Sequence, residues 1–225
     1  MKNEKTLSEQ LFEQLCEARG VRFEPIPRII DVRTSDYHIW LNDTDEVIVE
    51  VKQIDWSKDD LQFMQNVREG KKVPSGFRGT GHIRIRNIIN SAHSQLKNSS
   101  RGEYPAIIVV YDNTEGLSHL DYEDVLNGMY GDETVTVDFS QENESETKLI
   151  GHQFGGNRKL TPYHNRVVSA LALLNFKSST PNLCMFHNVH VEICLSPEIA
   201  WKIADKQFTI HAGTDVYQFW SEINR

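Results

Sequence analysis

The feature that most constrains the fold is an uninterrupted apolar run at residues 106–111, with the sequence AIIVVY. Pro105 precedes it, and Asp112 and Asn113 follow it. A strand without polar alternation is buried on both faces, as in the middle of a sheet that helices cover on each side. The sequence therefore predicts an α/β fold with this run near the centre of the sheet.

Hydrophobic periodicity predicts the elements that precede this strand. Residues 6–19 place apolar side chains at helical spacing and end at Gly20, which is a typical helix C-terminus. Alternating apolar residues indicate three strands, and a later apolar stripe after a glycine-rich loop at 71–81 indicates a second helix. The predicted strands are 21–26, 37–41 and 47–51, and the predicted helix is 83–96.

The second half of the chain continues the α/β pattern. We expect a short helix at 120–128, a polar loop at 141–147, strands at 167–176 and 183–195, and a helix beginning at 197–204. The sequence contains no internal repeat and no linker long enough to demand a second domain. We therefore predict one domain over residues 1–225, with a core at about 6–112 and a C-terminal extension at about 113–225.

Composition limits the class of protein. Of 225 residues, 39% are hydrophobic and 25% are charged, which is typical of a globular chain. No apolar run approaches the roughly 20 residues that span a bilayer, and the N-terminus lacks a signal-peptide core, so we expect a cytoplasmic protein without a membrane partner. Three scattered cysteines indicate reduced thiols.

The charge is unevenly distributed along the chain. The net charge of -8 disfavours a nucleic-acid partner on average. However, residues 68–101 contain eight basic residues and one acid, whereas residues 112–147 contain eleven acids and neither lysine nor arginine. This asymmetry favours a localised anion site, with a solvated basic surface as the alternative.

The predicted third strand carries an acid and a lysine on one face. Alternation sends Ile48, Glu50 and Lys52 to one side of the sheet. A carboxylate and an ammonium on an apolar strand are unfavourable to bury unless they are paired or bind an ion. If the preceding strand forms a hairpin with this one, Asp36 approaches Glu50. Such paired carboxylates suit Mg²⁺ or Mn²⁺, and Lys52 is placed to orient or activate a water molecule against a phosphate.

This order of motifs resembles the PD-(D/E)XK nucleases of the restriction-endonuclease-like fold, over roughly residues 6–112. The resemblance implies an α-β-β-β-α-β core with a mixed central sheet flanked by helices. It also implies that Asp36, Glu50 and the backbone carbonyl of Val51 bind the metal ion and that Lys52 is the catalytic lysine. Gln53 matches a common residue of the family as well.

The sequence departs from the motif at one position, where Ser35 replaces the proline. This difference leaves Asp31, Asp43 and Asp45 as rival acids. Asp43 and Asp45 are better explained as turn residues.

Many members of the family carry another acid on the first helix. Glu9 lies closer to the apolar face of the predicted helix than Glu13, so we prefer Glu9 as a further metal ligand and keep Glu13 as the alternative. On the basic helix we expect nucleic-acid contacts from Arg84, Arg86 and Gln95, with Gln53 beside them. The alternative is that these side chains form the solvated side of the helix.

The predicted function is a Mg²⁺-dependent deoxyribonuclease that acts as an endonuclease, and the resemblance implies that cleavage leaves a 5′-phosphate. A restriction, phage-defence or repair setting and a homodimer are implied by the resemblance alone. The alternatives are an RNA substrate and a catalytically inactive module that binds nucleic acid or protein. Phosphate-loop, dinucleotide-binding and serine-hydrolase motifs are absent from the sequence. A zinc site at Cys184, His187, His190 and Cys194 is disfavoured, because alternation along a strand separates these side chains.

Overall fold

The computed structural model describes residues 4–72, 81–114, 120–138, 148–176, 180–210 and 220–225. Most of the predicted loop at 71–81 and the whole polar loop at 141–147 lie outside these residues. Within the described ranges, every helix is too short or too polar to serve as a membrane span. The described helices are α1 (Leu7–Arg19), α2 (Lys58–Arg68), α3 (Gly81–Ser100), α4 (Tyr122–Tyr130) and α5 (Pro197–Ala200).

Eight of the ten described strands form one mixed sheet, and the other two form a separate antiparallel ribbon. In chain order they are β1 (Arg22–Pro25), β2 (Tyr37–Trp40), β3 (Glu46–Ile54), β4 (Ala106–Asp112), β5 (Glu133–Asp138), β6 (Lys148–Phe154), β7 (Val168–Asn175), β8 (Asn182–His187), β9 (Lys206–Thr209) and β10 (Ser221–Glu222).

The strand order of the large sheet is β1-β2-β3-β4-β7-β8-β9-β10. The first three strands are antiparallel neighbours, whereas β3, β4 and β7 run parallel. The strand β4 therefore has a partner on each side, and its residues from Ala106 to Val110 are buried. Helices α3 and α4 cover one face and α1 covers the other, which confirms the predicted α/β fold.

The helix α1 has the capping residues and the apolar spacing that predicted it from the sequence. Thr6 and Glu9 form a reciprocal capping box at the N-terminus of α1, and Gly20 ends the helix with a left-handed φ of 62°. The apolar stripe between these signals includes Leu11, Phe12 and Leu15, all of them buried. The helix therefore begins and ends where the sequence indicates.

The predicted strand at 183–195 is wrong in its second half, because β8 ends at His187. The Asn188 side chain donates to the carbonyl of Val168 at 2.8 Å and accepts from the backbone N–H of His190 at 2.9 Å. An asparagine that binds the backbone in this way starts a turn and removes the following residues from the ladder. Cys194 therefore lies outside the strand that carries Cys184.

Gly128 provides a close contact between α3 and α4. A Cβ atom at this position would overlap the Ile85 side chain and would lie 2.6 Å from its Cβ atom. We expect Gly128→Ala to lower the free energy of unfolding by about 1–2 kcal/mol, because overpacking outweighs the better helix propensity of alanine. Urea denaturation measures the change. Gly156→Ala is the control, since Gly156 has no neighbour within 4 Å, and an equal effect of both substitutions would contradict this packing argument.

Candidate active site

The β2–β3 hairpin brings Asp36 beside the acid-x-lysine segment. Tyr37 pairs with Val49, and the Asp36 backbone N–H donates to the Val49 carbonyl at 3.1 Å. The Asp36 carboxylate accepts a hydrogen bond from the Val51 N–H at 2.9 Å. The hairpin predicted from alternation therefore exists, and it holds Asp36 against the backbone between Glu50 and Lys52.

Glu50 is a buried carboxylate in the middle of the sheet, with 1% of its side chain exposed. Its Oε1 atom lies 2.5 Å from the Lys52 ammonium and accepts from the Gln95 side-chain amide at 2.6 Å. Its Oε2 atom is buried and has no hydrogen-bond partner among the described residues. The Oε1 atom therefore binds both Lys52 and Gln95, whereas the Oε2 atom accepts no hydrogen bond from the described residues.

Gln95 on α3 links the acid to the lysine. Its amide nitrogen donates to Glu50 and, at 3.3 Å, to the Thr34 carbonyl, while its oxygen accepts from Lys52 at 3.2 Å. Both ends of the Gln95 amide are thus occupied within the site. The helix α3 packs on β3 through Ile85, Ile88 and Ile89, so the position of Gln95 is set by core packing.

Burial and a neighbouring carboxylate make each of the two carboxyl groups harder to ionise. Burial and the charge of Asp36 raise the pKa of Glu50 from 4.5 to about 7, against the opposing effects of Lys52 and Gln95. Burial also raises the pKa of Asp36, which the Val51 N–H partly offsets and the charge of Glu9 reinforces. A shared cation would relieve this strain, and perturbed carboxyl groups of this kind are typical of functional sites.

The two helix acids lie in different surroundings. Glu9 accepts hydrogen bonds from the Thr6 N–H at 2.6 Å and the Thr6 hydroxyl at 2.7 Å, so it closes the capping box of α1. Glu13 accepts from Tyr37 at 2.8 Å and pairs with Lys5 at 2.7 Å. Glu9 is the helix acid whose charge acts on Asp36. Among the described residues, however, no three acidic, histidine or cysteine side chains form a cluster that could hold a metal ion.

Gln53 lies on the opposite face of β3 from Glu50 and binds the start of α1. Its side-chain oxygen accepts from the Ser8 N–H at 3.1 Å, and its amide donates to Asp55 at 2.8 Å. The Ser8 N–H is one of the free donors at a helix N-terminus, so this contact anchors α1 on β3. In this arrangement Gln53 has a structural role beside the candidate site.

The rival acids lie in turns. The Asn42 side chain binds the backbone N–H groups of Thr44 and Asp45, which makes 42–45 the connection between β2 and β3. Asp31 has a left-handed φ of 64° in the turn between Ile29 and Val32. Of the first-strand acids considered, the structure brings Asp36 to Glu50.

The two arginines of α3 take part in different contacts. Arg84 forms an ion pair with Asp60 on α2, and its other terminal nitrogen is buried without a partner among the described residues. Arg86 instead pairs with Asp132 and donates to the Asn127 carbonyl at 3.0 Å, on the side of α3 that faces α4. Asp60 is a partner that was not predicted from the sequence, although the capping box of Ser57 and Asp60 marks the start of α2.

The Arg86–Asp132 pair is asymmetric, since Arg86 is 9% exposed and Asp132 is 44% exposed in their side chains. We expect Asp132→Ala to destabilise the protein by about 1–2 kcal/mol, because it removes the counter-charge of a buried guanidinium at a place that water can partly reach. Arg86→Met should cost less than about 1 kcal/mol, since methionine fills the space and Asp132 remains in water. Urea denaturation compares the two, and the reverse order would contradict a structural role for this pair.

No protein-family model matches this chain, and no curated protein or solved structure matches it. The function of this protein is therefore inferred from the geometry and chemistry of the site itself.

Proposed function

We propose that this protein is a divalent-metal-dependent nuclease of the PD-(D/E)XK type that hydrolyses phosphodiester bonds in DNA as an endonuclease. The observation that carries the proposal is the Glu50 carboxylate. It is buried beside a second carboxylate and a lysine, and one of its oxygens has no partner among the described residues. Buried polar atoms are nearly always satisfied, so we expect this carboxylate oxygen to bind an ion or a water molecule.

The donor set fits a hard divalent cation. Asp36 and Glu50 supply carboxylate oxygens, and both have pKa values raised in part by burial without sufficient counter-charge. Mg²⁺ is commonly bound through one or two carboxylates, with water and substrate phosphate as its other ligands. We propose Asp36, Glu50 and the Val51 carbonyl as the ligands from this chain, with Glu9 contributing charge from the start of α1. A bound divalent ion would polarise the phosphate and lower the pKa of a water molecule.

In the proposed reaction Lys52 stabilises the charge on the phosphate, and Gln95 positions Lys52 and Glu50. Water attacks the phosphorus atom as the bond between phosphorus and the 3′ oxygen breaks. The proton that the attacking water gives up to the solvent is balanced by one that the leaving 3′ oxygen takes up, so the products are a 5′-phosphate and a 3′-hydroxyl. The Lys52 ammonium stabilises the negative charge that grows on the phosphate oxygens during attack. Gln95 is a positioning residue, because it holds both the lysine and the acid.

Arg84 is the arginine of α3 that we propose as a substrate contact, because one of its donors has no partner among the described residues. Its ion pair with Asp60 fixes the guanidinium near the N-terminus of α3, and its second terminal nitrogen keeps an unused donor among the described residues. A guanidinium with a free donor suits a phosphate oxygen. We therefore include Arg84 in the proposed substrate site and leave out Arg86.

A cleavage assay tests the proposal. Purified protein is incubated with supercoiled plasmid, linear duplex, single-stranded DNA and RNA of matched sequence, in Mg²⁺, Mn²⁺ or chelator. We expect metal-dependent nicking of the plasmid and no cleavage in chelator. Asp36→Asn, purified identically, excludes a contaminating nuclease. Intact substrates under all metal conditions would contradict the proposal and favour a non-catalytic binding module, whereas cleavage of RNA alone would reassign the substrate.

A further inference from the structure

A second site lies on the other side of α3 from the Glu50 carboxylate. Residues two apart on a helix project roughly 200° apart, so His93 and Lys97 point away from Gln95. They line a cavity of about 550 Å³, which the segments after α3, before β7 and after β8 complete. This volume is in the usual range for a small-molecule ligand.

The wall of this cavity is basic, although the chain as a whole is acidic. Lys97, Arg101 and Arg166 line it, together with one carboxylate, Glu192. Within the described ranges, none of these three cations has a side-chain ion pair or hydrogen bond. Three cations and one carboxylate leave a net charge of +2 in a chain whose net charge is -8. Unpaired cations around a concave surface attract an anion of matching charge.

Two tyrosines flank the cations. Tyr104 is partly buried between α3 and β4, and Tyr163 is 87% exposed at the rim. A large aromatic side chain held in solvent gains stability when a planar partner covers it. Nucleobases stack on such rings while arginine and lysine bind the attached phosphate.

Two residues with left-handed backbone lie at this cavity. Arg101 and Asn165 both line it and have φ angles of 52° and 54°. Arg101 directly follows α3, where a left-handed residue commonly ends a helix, although a long side chain such as arginine is disfavoured there by about 1 kcal/mol. Glycine therefore suits this backbone position better than arginine.

From these observations together we propose that the cavity binds a nucleotide, with its phosphate on Lys97, Arg101 and Arg166 and its base on Tyr104 and Tyr163. The charge of the wall matches a phosphomonoester, which carries close to two negative charges at neutral pH. The nucleotide can be free, or it can be the phosphorylated end of a DNA strand. This inference does not depend on the proposed nuclease activity, since it uses none of the same side chains.

Isothermal titration calorimetry of the full chain in chelator tests the proposal, with adenosine 5′-monophosphate as the probe. We expect saturable binding with a stoichiometry of one, and at least about tenfold weaker binding of adenosine or inorganic phosphate alone. A 5′-phosphorylated tetranucleotide distinguishes the two sources: tighter binding than that of the monophosphate identifies a strand end, and equal or weaker binding identifies the free nucleotide. Absence of saturable binding of both nucleotide probes, or inorganic phosphate binding as tightly as the monophosphate, would overturn the proposal.

Substitutions locate the binding site. Arg101→Gly removes a cation and suits the left-handed backbone, so it should fold normally and weaken binding about tenfold. Arg166→Gln should have a similar effect, and Tyr163→Ala should weaken binding by about fivefold to tenfold. Lys202→Gln is the control, because Lys202 is exposed and lies outside the cavity wall. Unchanged affinity in the Arg101→Gly and Arg166→Gln double variant would refute the assignment.

Discussion

Replacing Glu50 with glutamine is expected to raise the free energy of unfolding of the metal-free protein by up to about 3 kcal/mol at pH 8, while it abolishes metal-dependent cleavage. The pKa of Glu50 rises from 4.5 to about 7 on folding, and each unit of such a shift corresponds to about 1.4 kcal/mol. Ionised Glu50 therefore opposes folding above neutral pH, and glutamine removes that opposition.

Because the pKa of Glu50 is raised on folding, the free energy of unfolding must fall as the pH rises. A carboxyl group with a raised pKa in the folded state holds its proton more tightly there than in the unfolded chain. The parent protein should thus lose stability as the pH rises from about 4.5 to about 7, and the Glu50→Gln variant should show a smaller loss, which comes from the raised pKa of Asp36. Below pH 4.5 the two proteins should converge, because Glu50 is then protonated in both states.

Urea denaturation in chelator from pH 4 to pH 8 measures both curves. Glu24→Gln is the control, since Glu24 is an exposed glutamate on the same sheet. Addition of millimolar Mg²⁺ should stabilise the parent protein and leave the Glu50→Gln variant nearly unchanged, because the ion binds only where the carboxylate is present. Equal stability of both proteins at pH 8 would show that folding does not raise the pKa of Glu50. Stabilisation of both by Mg²⁺ would place the ion elsewhere.

The sequence predicted those parts of the fold and site that follow from local alternation. Glu50 stood out because it interrupts an apolar strand, and Asp36 because the turn at 42–45 sets the register of the hairpin. The helix α2 was not predicted, although Ser57 and Asp60 form a capping box and Leu61, Met64 and Val67 recur at helical spacing. In the fold Leu61 and Val67 remain exposed, so this apolar stripe does not join the core.

Contacts between residues that are distant in the sequence could not be predicted from local patterns. The partners of Arg84 and Arg86 lie 24 and 46 residues away, and no local pattern links either arginine to its acid. The basic segment at 68–101 therefore predicted a localised anion site without showing which cations remain unpaired. In the fold, Lys97 and Arg101 meet Arg166 from the second half of the chain, and only tertiary structure brings these charges to one cavity.

Lys52→Met is expected to lower the rate of DNA cleavage by about 10³-fold with little change in DNA affinity. The Lys52 ammonium is 25% exposed in its side chain and contacts both Glu50 and Gln95. An ammonium placed against the scissile phosphate binds most strongly when charge develops in the transition state, and removing such a group usually lowers the rate by 10²- to 10³-fold. Methionine is as long as the aliphatic part of lysine and lacks only the ammonium, so most of the packing around Glu50 is retained.

Single-turnover cleavage and fluorescence anisotropy with the same duplex separate the rate from the affinity. Lys58→Met is the matched control, because Lys58 is an exposed lysine in the same region of the chain. This variant should cleave DNA at the same rate as the parent protein. Gln95→Ala should give an intermediate loss of about tenfold, since it frees the lysine without removing its charge. If Lys52→Met cleaves within about threefold of the parent protein, Lys52 does not touch the reacting phosphate. A loss in DNA affinity that matches the loss in rate would instead mean that Lys52 binds the substrate equally in the ground state and the transition state.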